Sequence, residues 1–353
     1  MAAKFKTVGD LTCPTPLASN DMVLLGHGSG GRLSAELLRE IILPAFQNPE
    51  LSRLNDQAAI TINGTRIAIT TDSFVVKPLF FPGGDIGSLA VHGTINDLAM
   101  GGATPLFLTI ALIIEEGLPM DVLRKIVASA AEAANAAGVQ VVAGDTKVVE
   151  KGSGDGIFIN TTGIGLVPDD LDLSADRARP GDKIILSGFV GDHGISILAE
   201  REGLEFEAEI SSDSAALHTL VAEMLRTSHS IRCMRDPTRG GVASALNEIA
   251  IQSQVGIELE ECTIPLREQV RGACELLGLD PLYVANEGKL IAIVAPEVAE
   301  QVVTAMRRHP LGEQARVIGR VTGDHPGGVT IRTSLGTTRI VDMLSGDQLP
   351  RIC

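Results

Sequence analysis

The sequence predicts an α/β (α+β) protein of two mixed domains, ending in a flexible C-terminal tail. Three observations carry this expectation. The chain has 353 residues, which corresponds to roughly two domains at about 150 residues each. Strand and helix patterns mix in both halves, as an α/β or α+β class requires. A polar stretch containing Pro168 and Pro180, PDDLDLSADRARPGD over 168–182, separates the halves. The expected organisation is a loose leader over 1–22, an N-terminal domain over 23–168, a C-terminal domain over 169–345 and a mobile tail over 346–353.

The elements follow in order. The leader has no periodicity and carries Gly9, Pro14, Pro16 and Asn20. A short apolar run, Met22–Leu25, precedes GHGSGGR (26–32) and a helical pattern over 33–46. The runs 58–62 and 66–71 read as strands joined by Asn63-Gly64, a strong hairpin signal. Residues 106–114 read as a buried strand. Pro119 suits the first turn of a helix that Gly138 ends. Strands over 139–143 and 157–166 close this half. The second half predicts strands at 183–187, 257–260, 289–295, 316–321 and 329–332, and helices near 214–226, 241–253, 266–277 and 297–307.

Composition narrows the function. At 44% apolar and 21% charged residues, the chain is too apolar to be disordered. A net charge of −15 repels nucleic acid and anionic membranes. Trp is absent and Tyr occurs once, so base-stacking surfaces are not expected. The longest apolar run, 106–114, is broken by Thr109 and falls short of the ~20 residues of a membrane helix. The start, MAAKFKTVGD, has no apolar segment of a secretory signal. The five cysteines are scattered, without a CxxC. The expected setting is a reducing cytoplasm with free thiols.

Five constellations offer chemistry. GHGSGG formally matches GxGxxG, but the acid a dinucleotide fold needs about 20 residues on is missing. It also lacks the lysine of a P-loop. What remains is a backbone-rich loop (Gly28, Gly30, Gly31) whose N–H groups can wrap phosphates, or a plain glycine turn. Asp56, Asp72, Asp97 and Asp145 lie beside short apolar runs, as ligands of a hard cation such as Mg2+ do; singly, each also suits a turn or cap. RDPTRGGV (235–242) sets a turn at a helix start, with Arg239 as a fixed cation for phosphate. Glu287 in ANEGKL and Lys147 in GDTKVV are candidate general bases, or simply solvated charges. Cys353 is the last residue, so it is no prenylation signal. A thiol on a mobile tip can carry an acyl group, its α-carboxylate raising its pKa and Arg351 opposing. These spacings suggest an ATP/Mg2+ site without naming the reaction.

Taken in order, HGSGG, TDSFV, PLFFPGG, GTINDLA, EEGLPM, GDTKVV, GDHG, RDPTRGGV, ANEGKL and the terminal PRIC resemble the HypE carbamoyl dehydratases of hydrogenase maturation. These belong to the superfamily of aminoimidazole ribonucleotide synthetase and selenophosphate synthetase. The resemblance runs from about residue 24 to the end. It implies an N-terminal domain that pairs in a homodimer with ATP sites at the interface, and a C-terminal domain that closes over the nucleotide. It further implies that a HypF carbamoyltransferase loads Cys353. ATP-dependent dehydration then turns the S-carboxamide into an S-cyanide, which passes to iron on a HypC–HypD complex. On this resemblance Asp56, Asp72, Asp97, Asp145 and Asp236 hold Mg2+. Asn96, Thr146, Arg239 and the glycines contact ATP, and Glu287, Lys147 and Cys353 are catalytic. His27 and Ser29 stand where some selenophosphate synthetases carry a reactive Cys or selenocysteine, which argues against selenide chemistry. The competing readings are phosphoryl transfer to a free small molecule and a non-catalytic carrier of a thiol-bound group.

Overall fold

The structure, a computed structural model, describes residues 22–204, 210–346, 349 and 351–353. The predicted leader up to residue 21, and Asp347, Gln348 and Pro350 of the predicted tail, lie outside the described residues. The first domain is built on a five-stranded sheet. Its strands are β1 (Ala58–Ile62), β2 (Thr65–Phe74), β5 (Thr104–Glu115), β6 (Gln140–Val149) and β7 (Ile157–Leu166), in the order β1-β2-β7-β5-β6. Two short strands, β3 (Phe80–Phe81) and β4 (Gly84–Asp85), pair separately. The β1–β2 hairpin turns at Asn63 (φ 50°) and Gly64 (φ 83°), the double positive-φ turn that Asn-Gly favours.

Preceding the sheet, the glycine loop leads into α1 (Arg32–Leu37), a π-turn over Leu38–Ile42 and α2 (Leu43–Phe46). Helix α3 (Ile86–Met100) starts at Asp85, whose carboxylate accepts the Gly87 and Ser88 N–H groups at 2.7 and 3.1 Å. No periodicity marks α3 in the sequence, because it is apolar and small on nearly every side. It lies between the sheet and the second domain and buries Leu89, Val91, Ile95, Leu98 and Ala99. Helix α4 (Met120–Ala136) is amphipathic, burying Ile126, Ala130, Ala133 and Ala134.

A seven-stranded sheet organises the second domain, in the order β14-β13-β10-β12-β8-β11-β9. Its strands are β8 (Lys183–Leu186), β9 (Ile231–Arg235), β10 (Gly256–Glu260), β11 (Ile291–Val294), β12 (Arg316–Thr322), β13 (Val329–Arg332) and β14 (Thr338–Ile340). Helices α5 (Asp192–Glu202), α6 (His218–Thr227), α7 (Gly241–Ser253), α8 (Glu268–Leu277) and α9 (Ala299–Met306) complete it. Strands β9 and β14 and helix α5 were not expected from sequence. One core gathers Ile184, Leu186, Val242, Leu246, Ile257 and Ile293. A second joins the domains, with Ala99 and Met100 of α3 against Leu220 and Met224 of α6. Each such large side chain, fully buried, contributes about 1.5–3 kcal/mol. Among the described residues no helix is long and apolar enough to cross a membrane.

Candidate active site

The end of the chain lies inside the molecule. Cys353 is 8% exposed and Ile352 joins a core with Phe74, Phe81 and Leu89. Backbone pairing holds it there: the Val75 N–H donates to a terminal carboxylate oxygen of Cys353 at 3.1 Å and the Lys77 N–H to the Arg351 carbonyl at 3.2 Å. The alternating partners make this a short added strand, the mode by which extended peptides dock on a free edge. The Arg351 guanidinium pairs with Asp155, and Arg201 donates to the Arg351 carbonyl at 2.8 Å. Residues 351–353 of the expected tail thus sit docked on the N-terminal sheet edge.

Cys353 faces a cavity of about 260 Å3 lined by Gly28, Ser29, Ser73, Arg239 and Tyr283. The glycine loop reaches it because its backbone lies against the RDPTRGG turn. Gly30 takes φ +71°, and a Cβ there would meet the Arg239 carbonyl at 2.7 Å. Arg239 in turn donates to the Gly28 carbonyl at 3.4 Å.

Burial pushes the Cys353 thiol well above its ordinary pKa; Arg239 opposes this, while Glu287 and Asp72 push it further up. Glu287 is 2% exposed, and its Oε1 is buried with no hydrogen-bond partner among the described residues. Its carboxyl is held far above the usual range by burial, then by Asp236, Asp72 and Asp213, with Arg239 opposing. Such a group is suited to proton transfer near neutral pH.

A cluster of carboxylates adjoins these groups. Asp72 lies near the end of β2, Asp97 sits on α3, Asp56 precedes β1 and Asp236 follows β9. Burial and mutual repulsion raise Asp97, and Asp236 is pushed up to about 8, by burial first and then by Asp56. Burial also raises Asp72 and Asp56, against Arg239 and Arg235 respectively. Asp97 accepts the Thr70 hydroxyl at 2.7 Å. Carboxylates that repel each other this way call for a cation. Among the described residues no group of three or more acidic, His or Cys side chains converges as a metal cage. That donor set suits Mg2+, which binds through one or two carboxylates together with phosphate oxygens and water.

Two expectations need correction within one chain. Asn96 is not free for nucleotide. Its Nδ2 donates to the Ala215 and Glu287 carbonyls at 3.0 and 3.3 Å, and its Oδ1 accepts the Leu217 N–H at 2.8 Å. It is a clamp between domains that fixes the strand entry bearing Glu287. Asp145, Thr146 and Lys147 do not join the Glu287–Cys353 group. They lie on the exposed edge strand β6, where Asp145 and Lys147 pair with each other at 2.5 Å, 64% and 67% exposed. Asp145 and Thr146 instead border a separate groove of about 700 Å3 with Ile110, Leu112, Ile126 and Val141.

The structure also adds residues that no spacing signalled. Asp213 accepts the Glu287 N–H at 3.0 Å and pairs with Lys289 at 3.0 Å, the Asp213 side chain being only 4% exposed and that of Lys289 13%. Arg235 pairs with Asp56 and lies 3.8 Å from Glu248. His193, from GDHG, contacts the tail backbone.

Two such domains, with a phosphate-type glycine loop and a carboxylate cluster between them, define the class: the chain belongs to the AIR synthase related proteins. The N-terminal domain of that family matches residues 54–167 and the C-terminal domain residues 179–332. Within the class it belongs to the HypE carbamoyl dehydratases. It is 59% identical to carbamoyl dehydratase HypE of Azotobacter vinelandii over 95% of this chain and 98% of that one. Among solved structures it resembles a HypE–HypF complex (TM-score 0.83, 50% identity, 87% and 99% covered). It also resembles HypE in complex with ATP (TM-score 0.80, 51% identity, 94% and 100% covered).

Proposed function

We propose that this chain dehydrates a carboxamide carried on its own Cys353 to a nitrile, consuming ATP, and so supplies the cyanide ligands of [NiFe] hydrogenase iron. By family the chain is an ATP-dependent carbamoyl dehydratase of hydrogenase maturation. The observation that carries the reading is the burial of Cys353 between Glu287 and Arg239, at the cavity behind the glycine loop.

The chemistry explains why these parts stand together. An amide oxygen is a poor leaving group, and losing water in water is uphill. The carboxamide oxygen attacks the γ-phosphorus of ATP, ADP leaves and one N–H proton is lost, giving an O-phosphorylated imidate. Loss of the second N–H proton then expels phosphate and forms the C≡N bond. Overall, the thiocarboxamide and ATP become the thiocyanate, ADP and phosphate. Glu287 lies within hydrogen-bond reach of the Cys353 thiol, and its ionised form, made a strong base by burial and neighbouring carboxylates, is the proton acceptor. Arg239 offsets the charge that develops on the transferring phosphoryl group. The glycine loop over Cys353 excludes water from the activated intermediate. Docking of the tail makes the reaction intramolecular. Asp56, Asp72, Asp97 and Asp236 would hold Mg2+, which supplies neutralising charge to the triphosphate.

Three features lie beyond a single chain. A thiol this buried must leave its dock to be loaded; the solved HypE–HypF complex supports HypF as a partner, and on this reading HypF delivers the carbamoyl group. A HypC–HypD complex would receive the cyanide on its iron. A homodimer would complete the site. Strand β6 is exposed along its length, and Ile62, Phe107, Ile113 and Val148 are uncovered apolar side chains of the same sheet. Pairing there would present Asp145, Thr146 and Lys147 of one copy toward the other. Free thiols and ATP use fit a cytoplasmic setting. The test is stoichiometry: chain carbamoylated at Cys353 should consume ATP once per tail, whereas carbamoylation-independent ATP turnover by chain lacking 349–353 would reject the reading.

A further inference from the structure

The docked tail poses a backbone problem that the strand-like pairing does not solve. The Arg351 carbonyl and the Cys353 carboxylate accept from Lys77 and Val75, so the carbonyl between them, on Ile352, points away from that edge. Ile352 is buried, and a buried carbonyl left without a donor is costly. His193 meets it: its Nε2 lies 2.7 Å from the Ile352 oxygen.

The direction of this bond is fixed by its neighbours. A carbonyl only accepts, so Nε2 carries the proton. Burial keeps the ring neutral, and a neutral ring with its proton on Nε2 must accept at Nδ1. Ser212 Oγ stands 2.8 Å from Nδ1, and its own lone pair takes the Ser214 N–H at 3.1 Å. The Ser212 hydroxyl proton is thus aimed at the histidine. The Phe81 ring, edge-on to His193 at 5.6 Å between centroids, sets the ring plane. The Ser212 N–H is anchored to the Pro82 carbonyl at 2.8 Å, so the chain of donors ends on fixed backbone.

We propose that His193 is a positioning residue, a latch that recognises the Ile352 carbonyl and sets the fraction of time the tail spends docked. The inference rests on the reading that Cys353 is the reacting group. Because the latch grips backbone one residue before Cys353, it holds the tail whatever the sulfur carries: free thiol, carboxamide or nitrile. It also selects a position along the tail, since a slip of one residue would offer His193 a carbonyl already used by the Val75–Lys77 edge.

Iodoacetamide labelling of Cys353 tests this without ATP or a carbamoyl donor, so failure of the latch and failure of the dehydratase reading are separable. Labelling is followed by peptide-resolved mass spectrometry, with exposed Cys262 as reference and buried Cys233 and Cys274 as monitors of the fold. His193→Phe keeps the aromatic packing and removes the donor. It should speed Cys353 labelling roughly tenfold or more, with Cys262, Cys233 and Cys274 unchanged. His193→Gln, which retains an N–H at the end of a planar group, should return the rate toward wild type. An unchanged Cys353 rate in His193→Phe overturns the proposal. So does equal acceleration of Cys233 and Cys274, or equal acceleration in the Phe and Gln variants, since either assigns the effect to lost packing.

Discussion

Cys353 and Arg239 face one another across the cavity behind the glycine loop, where the guanidinium draws the Cys353 thiol pKa down while burial, Glu287 and Asp72 push it up. Burial wins, so the sulfur stays a neutral thiol and the Arg239 cation remains available to phosphate. Cys353→Ala should therefore abolish nitrile formation and leave nucleotide affinity intact, as checked by calorimetric titration with ATP. Nitrile formation by that variant would remove the tail from the chemistry.

Glu287→Gln should lower the dehydration rate by about 10²–10⁴-fold, the usual contribution of a positioned acid–base group. The substitution also has a signature in stability. Burial and the neighbouring carboxylates hold Glu287 protonated in the fold, while the unfolded chain ionises near the ordinary glutamate value. Stability owed to the neutral acid is therefore present at low pH and lost as pH rises above that value. Melting temperatures measured from pH 5 to 8 should fall less steeply in Glu287→Gln than in wild type; parallel slopes would contradict the buried, protonated carboxyl.

Lys147 and Cys353 should complement each other between copies. If the edge strand of one copy completes the site of the other, Lys147→Met and Cys353→Ala chains are each inactive alone. A mixed dimer then holds one site with both wild-type residues. Mixing the two variants should restore nitrile formation on the Lys147→Met chain, read by mass spectrometry. Absence of rescue in verified mixed dimers would place Lys147 outside the partner's site.

The Asp213–Lys289 pair should be structural and catalytic at once, because Asp213 also receives the Glu287 N–H. Burial raises the Asp213 carboxyl, but Lys289 and the Glu287 N–H bring it below the ordinary range. Its stabilising contribution is thus present above the ordinary aspartate value and lost as pH falls through the lowered one. Lys289→Met leaves a buried charge unpaired and should cost about 3–5 kcal/mol in denaturant unfolding at neutral pH. The loss should shrink in acid.

Much of the candidate site was legible as a cluster, because its residues lie in short motifs near strand ends and helix starts: Asp72, Asp97, Asp236, Arg239 and Glu287 come together near Cys353. Asn96 misled because it adjoins Asp97. Neighbours on a helix point about 100° apart, so Asp97 faces Thr70 and Asn96 faces the second domain. Helix α3 gave no period because both its sides are buried, and periodicity reports only a contrast between faces. His193 was invisible as a latch, since its partner Ile352 is far along the chain and contributes only backbone. Lys147 and Asp145 were grouped with Glu287 by chemistry, but no sequence pattern states which copy of a strand completes a site.

The central claim is that the amide on Cys353 is converted where it is seen docked. Mass spectrometry of the C-terminal peptide, after incubation with the HypF carbamoyltransferase, carbamoyl phosphate and ATP, measures this most directly. The account predicts a carbamoylated tail that then loses one water, about 18 Da, in wild type but not in Glu287→Gln. A carbamoylated tail that persists unchanged in wild type with ATP and Mg2+ present would contradict it.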